Sequence, residues 1–118
     1  MKLDIISIEH KGDLSKETIW LDVLEDADLK YYLVGDTTYT SENSISNELR
    51  HVFWFTSKSV KKHDYVALHT KDGTDSAAPN DRNTTTHHIY WDLGRTIWNK
   101  EGDCAVLFEV NTWKAKRG

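Results

Sequence analysis

Ile97-Trp98-Asn99-Lys100-Glu101-Gly102-Asp103-Cys104-Ala105-Val106-Leu107-Phe108 is the stretch on which the fold turns. It opens on a large aromatic residue, passes through an Asn/Gly/Asp turn and ends in an alternating apolar run. Trp98 offers a wide apolar face that can plug one end of a core, while its indole N–H asks for a partner. Asn99 and Gly102 tolerate a left-handed backbone, and the Asp103 carboxylate is suited to accept from N–H groups of the turn. Beyond the turn, Ala105 and Leu107 alternate with Val106 and Phe108, so one set faces a core and the other faces outward. Cys104 sits inside this run and reads as a small buried hydrophobe rather than a reactive thiol. Trp98, Asn99, Gly102 and Asp103 are therefore expected to lock structure, with no part in chemistry.

The same two-residue period recurs upstream. Leu3 to Glu9 forms a first strand, and His10 to Asp13 the turn after it. In Thr18 to Leu24, Ile19, Leu21 and Val23 share one face, against Trp20 and Leu24 on the other. A third strand, Leu29 to Val34, is expected to break at Gly35-Asp36, before the short β-branched piece Thr37 to Thr40. Ser41 to Glu48 is polar and turn-like, and Asn43 to Arg50 is the best helix candidate in a chain with no sustained helical periodicity. Leu49 to Thr56, Tyr65 to Thr70, His87 to Trp91 and Cys104 to Val110 complete the strands. Lys71 to Thr86, punctuated by Gly73, Pro79 and Asn80-Asp81, is expected to be one long polar surface loop. Seven or eight short strands separated by turns predict an all-β, two-sheet antiparallel sandwich, with a closed barrel as the alternative.

Size and composition bound the function classes. At 118 residues the chain has the length of one domain, 1–118, and can bury a real core. A single Cys rules out an internal disulfide framework. The net charge of -4 is uneven, with eight acidic and four basic side chains in residues 1–30 and balance thereafter. Neither part has the basic excess that non-specific nucleic-acid binding requires. No secretory leader pattern opens the sequence and no apolar run reaches membrane-spanning length. A cytoplasmic protein with no membrane association is the expectation.

With these strands in place, four segments resemble the lamin tail domain, an immunoglobulin-like sandwich found in nuclear lamins and in bacterial proteins. Ile19-Trp20-Leu21-Asp22-Val23 and Leu33-Val34-Gly35-Asp36 are similar to two of its strands. Val52-Phe53-Trp54-Phe55, followed by Val60 and Asp64-Tyr65-Val66-Ala67-Leu68, is similar to a third segment. Tyr90-Trp91 with Trp98 to Leu107 is the most specific match. Thr56, His63 and Asn111-Thr112-Trp113 depart from the family's Pro, Gly and closing turn. The resemblance covers residues 2 to about 113 and implies an immunoglobulin-like sandwich with a non-catalytic binding or scaffolding role, as a stand-alone member of the bacterial type. Its family traits also include contact with DNA and chromatin and, in bacterial members, association with extracellular hydrolases.

His87 and His88 are adjacent in a strand and so point to opposite faces, which one metal site cannot easily use. His51, His63 and His69 are scattered, although His69 and His88 could meet across neighbouring strands. No nucleophile elbow, calcium loop or His-Glu-x-x-His spacing is present. We therefore expect no enzyme activity, no cofactor and no metal. Lys58, Lys61 and Lys62, with His63, form the only local basic patch, a candidate anion contact. Tyr31-Tyr32 and Tyr90-Trp91 are adjacent aromatic pairs, each of which must turn one ring outward. Tyr31 and Tyr90 are thus candidate contact residues for a protein partner, with sugar stacking as the lesser alternative. Open sheet edges suit either a monomer or a strand-mediated homodimer.

Overall fold

A computed structural model of the chain describes residues 1–98 and 101–118. Two sheets face each other across one core. The first contains β1 (Leu3–Glu9), β2 (Thr18–Val23), β8 (Tyr65–His69), β9 (Ser76–Pro79) and β10 (Thr85–Tyr90) in the order β1-β2-β8-β10-β9. The second is built on β4 (Tyr32–Ser41), flanked on one side by β11 (Asp103–Glu109) and on the other by β5 (Ser44–Ile45) and β6 (His51–Trp54). A small ladder of β3 (Ala27–Asp28) with β7 (Ser59–Val60) ties one end. The chain is thus an all-β sandwich, and among the described residues no helix is long and apolar enough to cross a membrane.

Alternation builds the core. Ile19, Leu21 and Val23 of β2 and Val66 and Leu68 of β8 are fully buried from one sheet. Tyr32 and Val34 of β4, with partly buried Phe53, Ala105 and Leu107, meet them from the other. Trp98 is 1% exposed and packs edge-on to Trp91, as the plug role requires. Its Nε1 has no hydrogen-bond partner among the described residues. Gly102 has φ +89, the left-handed turn expected of it, and its carbonyl accepts from Tyr39 N–H at 3.0 Å. Asp103 begins β11 opposite Thr38. The expected role of Asn99 lies outside the described residues. Cys104 is buried, as its sequence context predicts.

Four expectations are corrected. The 71–86 stretch is not one loop: Ser76–Pro79 forms an edge strand that pairs antiparallel with β10. Asn43 to Arg50 forms no helix, because Thr37 Oγ1 donates to the carbonyls of Ser46 and Glu48 and lays the segment across β4. The strand does not break at Gly35-Asp36. Asp36 stays inside β4 because its carboxylate accepts from His51 N–H at 2.7 Å, while Leu49 fills the space above Gly35. The break falls earlier instead. Leu29–Tyr31 is a single 3-10 turn capped by Asp28, whose carboxylate accepts from Lys30 N–H. One pair also departs from the antiparallel pattern, since β8 and β10 run parallel. Residues 70–84 supply a crossover long enough to permit it.

Candidate functional site: the outer face of the β4 sheet

The cross-strand register fixes what this sheet shows to solvent. Val34 and Tyr32 point inward, so Leu33, Gly35, Thr37 and Tyr39 point outward. Leu33 lies between Phe108 and Trp54, and Gly35 between Val106 and Val52. Leu49 caps Gly35: a Cβ there would lie 2.9 Å from its Cδ2. Ile45 pairs with Tyr39 at the far end. The glycine therefore leaves a shallow seat for Leu49. Beside it lies a groove of about 330 Å³ lined by Ile45, Ser46, Asn47, Leu49, Val106 and Phe108.

At the near end the C-terminal segment folds onto this face. Val110 N–H donates to the Tyr31 carbonyl at 2.8 Å. That bond brings Trp113 edge-on to Trp54, with ring centroids 4.9 Å apart, and to Tyr31 at 5.9 Å. Trp54 Nε1–H is satisfied by the Lys30 carbonyl at 2.7 Å, and Lys30 Nζ sits over the Tyr31 ring. The polar atom of Trp54 is thus occupied and its apolar surface is free to dock. Behind Tyr31, buried Tyr32 donates to Glu109, and burial with that carboxylate pushes its phenol up to about 12.

The result is a concentration of apolar surface. Of the eleven large apolar side chains exposed among the described residues, eight belong to this face and its rim: Tyr31, Tyr39, Ile45, Leu49, Val52, Trp54, Phe108 and Trp113. Contiguous exposure of this kind marks interaction surfaces, whereas scattered single residues do not.

The sequence-predicted contact residues are not gathered in one place. Tyr31 joins the apolar face. Tyr90 lies on the outer surface of the other sheet, stacked on His69 at 4.8 Å. Lys58 precedes β7, Lys61 and Lys62 follow it, and acids meet all three. Lys61 Nζ is 3.7 Å from Asp26, whose carboxylate also accepts from Lys62 N–H, and Asp28 accepts from Lys58 N–H. With two carboxylates seated among them, these lysines make a weak anion site.

Two polar clusters lie away from this face, the first raised by the sequence and the second not. His69 and His88 do meet, with Nε2 and Nδ1 2.9 Å apart. The single Thr18 hydroxyl hydrogen goes to the Lys16 carbonyl, so His69 Nδ1–H donates to Thr18 Oγ1 and its Nε2 accepts from His88 Nδ1–H. Burial, then the neighbouring His88 and Lys71, lower His69 to about 4, so it is neutral near pH 7. Among the described residues no group of three or more His, Cys, Asp or Glu is placed to hold a metal ion.

The second cluster centres on Glu17, which is fully buried. Its Oε1 accepts from Gly12 and Trp98 N–H, and its Oε2 from Thr70 Oγ1 and Ile97 N–H. One carboxylate therefore pins the Trp98 segment to the end of the larger sheet where β2 begins and β8 finishes. His87, buried on the inner side, pairs with Asp64 at 2.8 Å. These clusters support the scaffold; the open face lies on the opposite sheet. Compared with known proteins, the chain matches no family model and no curated protein.

Proposed function

We propose that this chain is a non-catalytic binding module of the lamin-tail type, and that it works by protein–protein contact through the outer face of the β4 sheet. The observation that carries this reading is the gathering of eight exposed apolar side chains on one sheet face and its rim. Burying such a side chain fully is worth roughly 1.5–3 kcal/mol, so a complementary apolar surface has much to gain there. Tyr and Trp residues with satisfied polar ends suit such contacts. The resemblance of residues 90–107 to the lamin tail supports the same role. Nucleic acid is the weaker partner, because the chain is acidic and its lysine patch is seated among Asp26 and Asp28.

The test is site-specific photo-crosslinking in cells. A benzophenone side chain at Val52 is expected to give a protein adduct, and one at Trp20 on the opposite sheet is expected to give none. An adduct from both positions, or from neither, would defeat the reading. Loss of the Val52 adduct on nuclease treatment would favour nucleic acid instead.

A further inference from the structure

Charge is arranged along the same face with a direction. At the end where β4 begins, Lys30 lies over Tyr31, and exposed Lys114, Lys116 and Arg117 follow Trp113. At the end where β4 finishes, exposed Glu42 and Glu48 flank Ile45 and Leu49, and Glu101 precedes the Gly102 turn. Charges of opposite sign also lie at each end, fewer in number, and their hydrogen bonds to neutral groups fix their positions without cancelling them. Arg50 donates to Thr38, Asp28 accepts from Lys30, Lys58 and Ser57, and Glu109 is held by Tyr32. The middle, around Gly35, is apolar. Among the described residues the face is therefore net basic at one end and net acidic at the other, with an apolar centre.

Resting on the protein-docking reading above, we infer that the occupant of this face is a second copy of the chain, packed face to face across the Leu49 cover with its strands reversed. A two-fold axis lying in the interface and crossing the strands near Gly35 sets the Lys30 and Lys114 end of one copy over the Glu42 and Glu48 end of the other. Each copy makes the same contact twice, as an isologous dimer requires. The Trp54, Tyr31 and Trp113 cluster of one copy then meets Tyr39, Ile45 and Leu49 of its partner. The shallow groove beside Leu49 receives an aromatic ring in each direction. Rotation about an axis along the strands would instead set lysine over lysine and glutamate over glutamate. Electrostatic complementarity selects between these two registers more than it adds affinity.

Charge exchange tests the arrangement. Lys30→Glu with Lys114→Glu makes both ends acidic, and Glu42→Lys with Glu48→Lys makes both ends basic. By sedimentation equilibrium from micromolar to millimolar concentration, the wild-type chain is expected to dimerise. Each double variant alone is expected to weaken at least about tenfold, and their mixture to recover, because each acidic end then meets a basic one. Far-UV circular dichroism and melting check that both variants fold. A wild-type chain that stays monomeric throughout overturns the inference. So does a dimer indifferent to either double variant, or a mixture that fails to recover. If the chain is monomeric but Val52 still crosslinks to another protein, the docking reading stands and only the second copy is lost. If the chain dimerises and Val52→Asp does not weaken the dimer, the inference is lost through use of another surface.

Discussion

Replacing Glu17 by Gln isolates the buried carboxylate with little change of volume. The carboxylate offers two oxygens to four donors: Gly12 and Trp98 N–H on one, Thr70 Oγ1 and Ile97 N–H on the other. An amide keeps one oxygen and turns the other acceptor into a donor. Its better orientation leaves oxygen toward Gly12 and Trp98 and points NH2 at Thr70, whose hydroxyl can rotate to accept. Ile97 N–H is then orphaned in the interior, and leaving such a group unpaired costs about 1–3 kcal/mol. Loss of charge on the acceptor weakens the surviving bonds as well. A total near 2 kcal/mol follows, which for a domain of this length lowers Tm by about 8 °C. Differential scanning calorimetry at neutral pH measures it, with Thr70→Val as the companion that removes a single bond. A Glu17→Gln protein that melts within about 2 °C of wild type would refute the reasoning, because one buried unpaired donor alone outweighs that shift.

Three further outcomes are expected. His69 has its proton affinity lowered to about 4 from 6.5 by burial and by His88 and Lys71, so the unfolded chain binds the extra proton first as pH falls. Stability is therefore expected to decline from about pH 6.5 toward 4, and Tm-versus-pH curves should be flatter over that window in His69→Gln. Asp28 is held below 3.8 chiefly by the Lys30 N–H, and Asp64, against the opposing effect of burial, is held below it by His87, so their contribution begins to be lost only at the acid end of that window and is common to wild type and variant. Gly102→Ala must place a side chain at φ +89, where the nearest outside atom is 3.8 Å away, so strain and not a clash sets the penalty. A loss of about 1–2 kcal/mol by chemical denaturation is expected, and an unchanged midpoint would contradict it. Val52→Asp changes a half-exposed side chain on the apolar face and is expected to shift stability by no more than about 1 kcal/mol while abolishing the Val52-face contact; unfolding on substitution would show that Val52 serves the core.

How much of this was legible differs from element to element. Ile19, Leu21 and Val23 announce the inward face of β2 through simple alternation, and Trp98 and Gly102 announce a plug and a turn through residue type. β9 hid because Ser-Ala-Ala-Pro has little strand propensity and forms only by pairing with β10. The parallel partnership of β8 with β10 is a matter of connection and register, which periodicity does not encode. Nothing local sets Glu17 apart from the other acids of the chain, since its partners Thr70, Ile97 and Trp98 lie far along it. The apolar face could be half read: Tyr31 stood out beside Tyr32, but Leu49, Val52 and Phe108 were indistinguishable from core residues until pairing showed which way each points.

Cys104 is the single thiol of the chain and is buried in β11, facing outward one row from Val106 and Gly35. Its labelling by a thiol reagent needs the side chains that cover it, Tyr39 among them, to move aside, so the reaction rate is a clock for local opening of that face. No engineered probe is required, and no other sulfhydryl competes. One atom thus makes the opening of that cover measurable in the unmodified protein, and occupancy of the same face would slow the clock.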